Sequence, residues 1–163
     1  MVNIKETDLA FGQLADREET NLIVIHHVGE TDRDVSAAEI HEWHKENGWS
    51  GIGYHYVIRK DGTIERGRPR DVIGAHAQGF NSRSIGINIV GDFERAVPVT
   101  AQIESASMLI AELCNIYSLC PDAQTIVGHR DLMNTDCPGC NLYDMLQDIR
   151  GKAIWYQQQE VQQ

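Results

Sequence analysis

Two imidazoles and one thiol stand where they could share a metal ion. His26 closes an apolar run, His129 follows the run Thr125-Ile-Val-Gly128, and Cys137 comes eight residues later, beyond the polar stretch 130–136. Three protein ligands that leave the fourth tetrahedral position open are the pattern of catalytic zinc. A metal held this way is a Lewis acid that polarises a carbonyl and acidifies water. The same residues have plainer readings: His26-His27 as a core-edge pair bonded to backbone, and Cys137 as a small buried hydrophobe ahead of a Pro138-Gly139 turn. Cys137-Pro-Gly-Cys140 is also a CxxC, the spacing of a redox pair or of half a zinc knuckle. Against the knuckle there is no second CxxC, and against the redox pair it lies far down the chain behind a long loop. His41 and His44 form H-E-W-H, one residue short of the HExxH spacing. With Ile40 and Trp43 taking the inner side of that helix, His41 is expected at the surface and His44 in a structural role.

The elements that must position these groups follow from periodicity. Asn21-Leu-Ile-Val-Ile-His26 is a continuous β-branched run, which predicts a strand buried on both faces with a polar site at its end. Ser36 with Glu39 three residues on is a capping box, and Gly48 stops the helix, giving a helix over about 36–47. From Tyr54 to Arg68 the period is two, with Tyr54, Tyr56 and Ile58 expected on one face and Asp61-Gly62 as the turn of a hairpin. Ser84 to Val90 reads as another strand. After Pro98, Ile103, Ala106, Ile110, Leu113, Cys114 and Tyr117 mark the stripe of a long helix. Gln124 to Val127 predicts a short strand, and Asn141 starts a last helix with Leu142, Met145, Leu146 and Ile149 inward. Strands interleaved with helices predict an α/β single domain with a central mixed β-sheet flanked by helices. Residues 1–20 read as a lead-in, 21–156 as the domain and 157–163 as a Gln-rich tail.

Composition narrows the classes. The chain has 163 residues, 42% of them hydrophobic, with 14 Lys plus Arg against 24 Asp plus Glu, a net charge of −10. That suits one domain with its own core. The absence of a polybasic run argues against nucleic acid and anionic lipid as partners, and no stretch approaches the ~18 apolar residues of a membrane span. Met1 to Ala15 lacks the basic and apolar regions of a secretory signal, so the chain is expected in the cytoplasm on synthesis, staying there unless something releases it. The four cysteines lie in the last third, as thiols or ligands in a reducing compartment, with a Cys114–Cys120 disulfide open to a protein working outside the cell.

Several motifs together resemble one family. They are Ile25-His26-His27, the Trp43-His44-Lys45 helix leading to Gly53-Tyr54-His55-Tyr56, Lys60-Asp-Gly-Thr63, Gly74-Ala-His76, Asn81 with Ser84-Ile-Gly-Ile87, and Gly128-His129-Arg-Asp131 through Cys137-Pro138. In order and spacing, over about residues 21–149, the chain resembles the zinc-dependent N-acetylmuramoyl-L-alanine amidases of type 2, which include phage amidase lysozymes and peptidoglycan recognition proteins. The resemblance implies a zinc hydrolase that cuts the amide between N-acetylmuramic acid and the L-alanine of peptidoglycan stem peptides. It implies one Zn²⁺ on His26, His129 and Cys137, with Tyr54 as the tyrosine needed for activity. Thr135 occupies the position two before the Cys ligand, where phage lysozymes have Lys; its hydroxyl can hydrogen-bond an oxyanion but cannot neutralise it. Where some members carry a general-base Glu, this chain has Asn88. The same fold also serves as a binding module for wall fragments, in members that have lost the Cys ligand. A host-protein partner is compatible with the acidic surface, but no segment marks a site for one.

Charge by segment locates a candidate substrate wall. Between Arg59 and Arg83 six basic residues face three acidic ones, a local +3 in a chain that otherwise carries −13. Stem peptides bear free carboxylates, so this segment, with His55, Arg68, His76 and Asn81, is expected to line the cleft. On that reading Arg68→Glu weakens carboxylate-bearing muropeptides far more than a neutral analogue.

Overall fold

The computed structural model describes residues 2–161. Among them, six strands build one mixed sheet: β1 (Ile4–Lys5), β2 (Leu22–His27), β3 (Tyr56–Ile58), β4 (Ile64–Arg66), β5 (Ser84–Ile89) and β6 (Ile126–Gly128), in the order β1-β4-β3-β5-β2-β6. The helices are α1 (Ala37–Glu46), α2 (Thr100–Tyr117), α3 (Cys140–Asp144) and α4 (Leu146–Val161). The pair β3–β4 is antiparallel, as a short hairpin requires, and every other pairing is parallel. The predicted α/β single domain with helices on both faces is the architecture observed.

The run at β2 is buried at all six positions because it lies between β5 and β6 with helices or loops on both faces. Ile23 and Ile25 join Ile85, Ile87 and Ile126 in the core beneath α2 and α4. Leu22 and Val24 face the other way, against Val127, Phe80 and Leu132. The period of two therefore continues into the histidines: His26 takes the Val24 face, and His27 stacks on Phe93 at the α2 face. Only the Ser36 half of the expected capping box of α1 forms, the hydroxyl accepting from Glu39 N at 3.1 Å while the Glu39 carboxylate takes Arg33, and the helix packs Ala37 and Ile40 against Val57 and Val90.

Four expectations are corrected. Tyr54 does not share a face with Tyr56 and Ile58: β3 starts only at Tyr56, and Tyr54 packs beside Val57 on the α1 side. The last helix is two helices broken at Met145. Its second part runs to Val161, so residues 157–161 are helical rather than a tail, while Gln162 and Gln163 lie outside the described residues. The lead-in belongs to the sheet, with Ile4 paired to Ile64 in parallel and Arg17, buried, donating to Val72 O at 2.8 Å. Replacing Ser36 by Ala removes the hydroxyl that caps Glu39 N and leaves Glu65 Oε1 on Ala37 N; we expect a loss of about 1 kcal/mol, read as a lower urea midpoint with unchanged slope.

Candidate metal centre and cleft

The C-terminal ends of β2 and β6 are neighbours because Ile25 pairs with Gly128, and each strand delivers one histidine at that edge. His26 is the fifth residue of β2, and His129 begins the turn after β6. The Asp131 carboxylate shapes that turn by accepting from Gly128 N at 2.9 Å. Cys137 arrives on the following loop, tied down by Arg130 N donating to Cys137 O at 2.8 Å. One ligand atom from each of His26, His129 and Cys137 lies within 4.8 Å of the others. Cys137 Sγ is 3.6 Å from His26 Nδ1, and the two imidazole centroids are 4.5 Å apart. His129 Nε2 is buried without a hydrogen-bond partner among the described residues. An orphaned buried polar atom inside a cluster of two imidazoles and a thiol fits a metal ion of zinc's preferences.

The electrostatics agree with that fit. Burial, then the neighbouring His76 and His129, hold His26 well below its ordinary pKa, and burial lowers His129 too. Both imidazoles are thus neutral near pH 7, the form that offers a lone pair to a metal. Burial pushes the Cys137 thiol up to about 12, against the pull of the His27 backbone N–H on the sulfur. A cation in the cluster reverses that balance and favours the thiolate.

A family model described as N-acetylmuramoyl-L-alanine amidase matches residues 16–140. The endolysin of Klebsiella phage KP32 is 36% identical over 136 residues, covering 80% of this chain and 87% of that protein. The chain belongs to the N-acetylmuramoyl-L-alanine amidase family. Among solved structures, the amidase LysC from Clostridium intestinale superposes with a TM-score of 0.85 at 37% identity, covering 93% of this chain and 97% of that one. A Drosophila PGRP-LB mutant in complex with tracheal cytotoxin superposes at 0.79 with 26% identity, covering 88% and 92%. With endolysins and amidases at this similarity, the chain is an enzyme that hydrolyses the peptidoglycan amide, and the binding-module alternative is not better supported.

Around the cluster the amidase forms a two-sided cleft. One side, of about 450 Å³, is lined by Tyr54, Thr135, Cys137 and His129, and by the carboxylates of Glu30, Asp92, Glu94 and Asp136. The other, of about 380 Å³, is apolar, with Trp49, Ala75, Ala77 and Met133 beside His76, Asn81 and His129. Tyr54 sits 4.9 Å from the His26 ring, centroid to centroid. Burial and the nearby Cys137 raise its phenol pKa, so it remains a proton donor at neutral pH. Thr135 Oγ1 accepts from Cys137 N at 3.2 Å, which leaves its own proton free for another partner.

None of the six basic residues of the segment 59–83 lines either side of the cleft. Arg59 pairs with Asp34 and Glu65, Lys60 with Asp32, Arg66 with Glu6 and Arg70 with Asp71. Arg68 is 6% exposed and donates to Ile52 O and Ile73 O, so it ties two loops together and does not face substrate. His55 is fully buried: its Nδ1 accepts from Gly86 N and its Nε2 reaches Val72 O at 2.8 Å. His76 lies at the cleft edge with both ring nitrogens engaged, by His26 and Ser84. Asn81 spends its carbonyl on the backbone N–H groups of His76 and Ala77, leaving only its amide NH₂ toward the apolar side. His41, expected outside, is 3% exposed and bridges Ala10 O to Ile52 N. His44 accepts from Gly53 N, the structural role expected of it. All four cysteines are free thiols; Cys140 turns to Glu94 and not to Cys137.

Sequence reasoning missed Trp49, Met133 and the four carboxylates. A signal existed for Asp92 and Glu94, which follow β5 at the strand ends where open α/β sheets bind ligands.

Two outcomes follow. Arg68→Glu is expected to lower stability by roughly 2–5 kcal/mol, since it buries an unpaired charge, and to shift the Kd of charged and neutral muropeptides equally. In the metal-free protein burial lowers His44 to about 4 and His55 to about 3. The unfolded chain, titrating near 6.5, binds more protons through this interval, so stability falls as pH drops from about 6.5 through 4 toward 3. Urea midpoints across that range measure it.

Proposed function

We propose that the amidase holds one zinc ion on His26, His129 and Cys137, and cuts the bond between the lactyl group of N-acetylmuramic acid and L-alanine beside it. The observation that carries this reading is the convergence of two neutral imidazoles and a thiol within 4.8 Å at the floor of the cleft. When bound there, zinc supplies Lewis-acid polarisation of the carbonyl and acidifies water near pH 7.

The chain's own groups orient and stabilise. Tyr54, kept protonated, donates to the oxygen that becomes an oxyanion, and the free proton of Thr135 is a second donor. Both are neutral, so each lowers the barrier by hydrogen bonding from a fixed position. Asn88, buried and opposite His26 in the β2–β5 register, has an amide with no acid–base role, which leaves no side-chain base on that strand. The glycan and stem lie along the cleft, with apolar parts of the substrate against Trp49 and Met133. Endolysin relatives support action on the bacterial wall, with intact sacculi as the substrate class to test first.

The purified protein should carry about one zinc and release stem peptides from sacculi in an EDTA-sensitive manner. Tyr54→Phe should lower kcat about 10²- to 10³-fold with zinc content unchanged, and Cys137→Ser should lose the metal. Zinc bound without any cleavage would replace catalysis by binding alone.

A further inference from the structure

We infer that His76 is a positioning residue for the metal centre: it accepts a hydrogen bond from His26 Nε2–H and so fixes which nitrogen of His26 faces the metal. The inference rests on the reading of His26 as a ligand and goes beyond it, because it assigns the job of a residue that does not itself reach the metal position.

The geometry determines each proton. Cys137 Sγ lies 3.6 Å from His26 Nδ1, so Nδ1 is the nitrogen on the metal side. A neutral imidazole that gives Nδ1 to a metal carries its proton on Nε2. His26 Nε2 is 2.9 Å from His76 Nδ1, so His26 donates and His76 Nδ1 accepts. The His76 proton is then on Nε2, which lies 3.2 Å from Ser84 Oγ. The relay runs from the metal position through His26 and His76 to Ser84 at the start of β5. It serves the role that a carboxylate or backbone carbonyl usually plays behind a metal-bound histidine.

The surroundings hold His76 in place. Asn81 Oδ1 accepts from both His76 N and Ala77 N at 2.9 Å, fixing the backbone. The ring lies over Gly86, where any Cβ would come within 2.6 Å of it, and against Gly74, where a Cβ would come within 2.7 Å. These two glycines are the physical content of the Gly74-Ala-His76 and Ser84-Ile-Gly-Ile87 motifs: they make room for one imidazole in one orientation.

Zinc affinity, measured by competition with a chromophoric chelator, tests this apart from activity. His76→Ala should weaken zinc about 10- to 100-fold. His76→Asn places an amide oxygen where Nδ1 was and should restore much of the affinity, whereas His76→Gln, whose oxygen reaches the Nε2 position, should not. Unchanged affinity in His76→Ala, or equal rescue by Asn and Gln, overturns the proposal. Should His76→Ala fail to fold, ¹⁵N-labelled zinc-loaded wild type decides: His76 protonated on Nε2 and bare on Nδ1 supports the relay, and a proton on Nδ1 overturns it. A wild-type protein that binds no zinc overturns the zinc reading and this one together, whereas zinc-binding wild type with an indifferent His76→Ala overturns this one alone.

Discussion

The register of β2 between β5 and β6 governs the site. Side chains alternate across a strand, so a slip of one residue would exchange His26 for His27 and send the ligand to the Phe93 side. The slip is prevented because both faces are apolar and filled: Ile23 and Ile25 have one set of partners, Leu22 and Val24 another. Core packing at one end of the strand thereby sets the position of an imidazole at the other. The same logic applies to β6, whose terminal Gly128 sits against Tyr143 and Pro138, too close for a Cβ, and hands the chain to His129.

Charge is used differently in the rim and in the cleft. Basic residues of the hairpin region are consumed by carboxylates from elsewhere in the chain, or, for Arg68, by buried carbonyls. Exposed pairs of this kind contribute little stability each, but they leave few cations for a ligand. The side of the cleft that holds Tyr54 and Cys137 is lined instead by Glu30, Asp92, Glu94 and Asp136, with Arg95 engaged by Asp92 at 2.6 Å. The apolar side, Trp49 and Met133, offers surface rather than charge.

The histidines show how one side-chain type divides its work by environment. His41, His44 and His55 each accept a backbone N–H on Nδ1, replacing lost backbone pairing where loops enter the core. His26 and His129 converge with a thiol instead. Burial keeps His26, His44, His55 and His129 neutral near pH 7, and the partner of Nδ1 separates them: a backbone N–H for His44 and His55, the Cys137 sulfur for His26.

The family, the fold class and the metal cluster were legible in the residues, because ligand identity, strand-end placement and hydrophobic period are local properties of a chain. The burial of His55 and Arg68 away from the cleft, and the engagement of both ring nitrogens of His76 at its edge, were not. Each lies near the site in sequence pattern, yet the direction of a side chain at a loop or strand entrance depends on which distant carbonyl or ring it meets: Ile52 and Ile73 for Arg68, Gly86 and Val72 for His55, His26 for His76. Sequence alone determined what chemistry the amidase carries. Tertiary structure decided which polar groups were free to use it, since hydrogen bonds between residues 5 to 50 positions apart consume a donor or acceptor that composition counts as available.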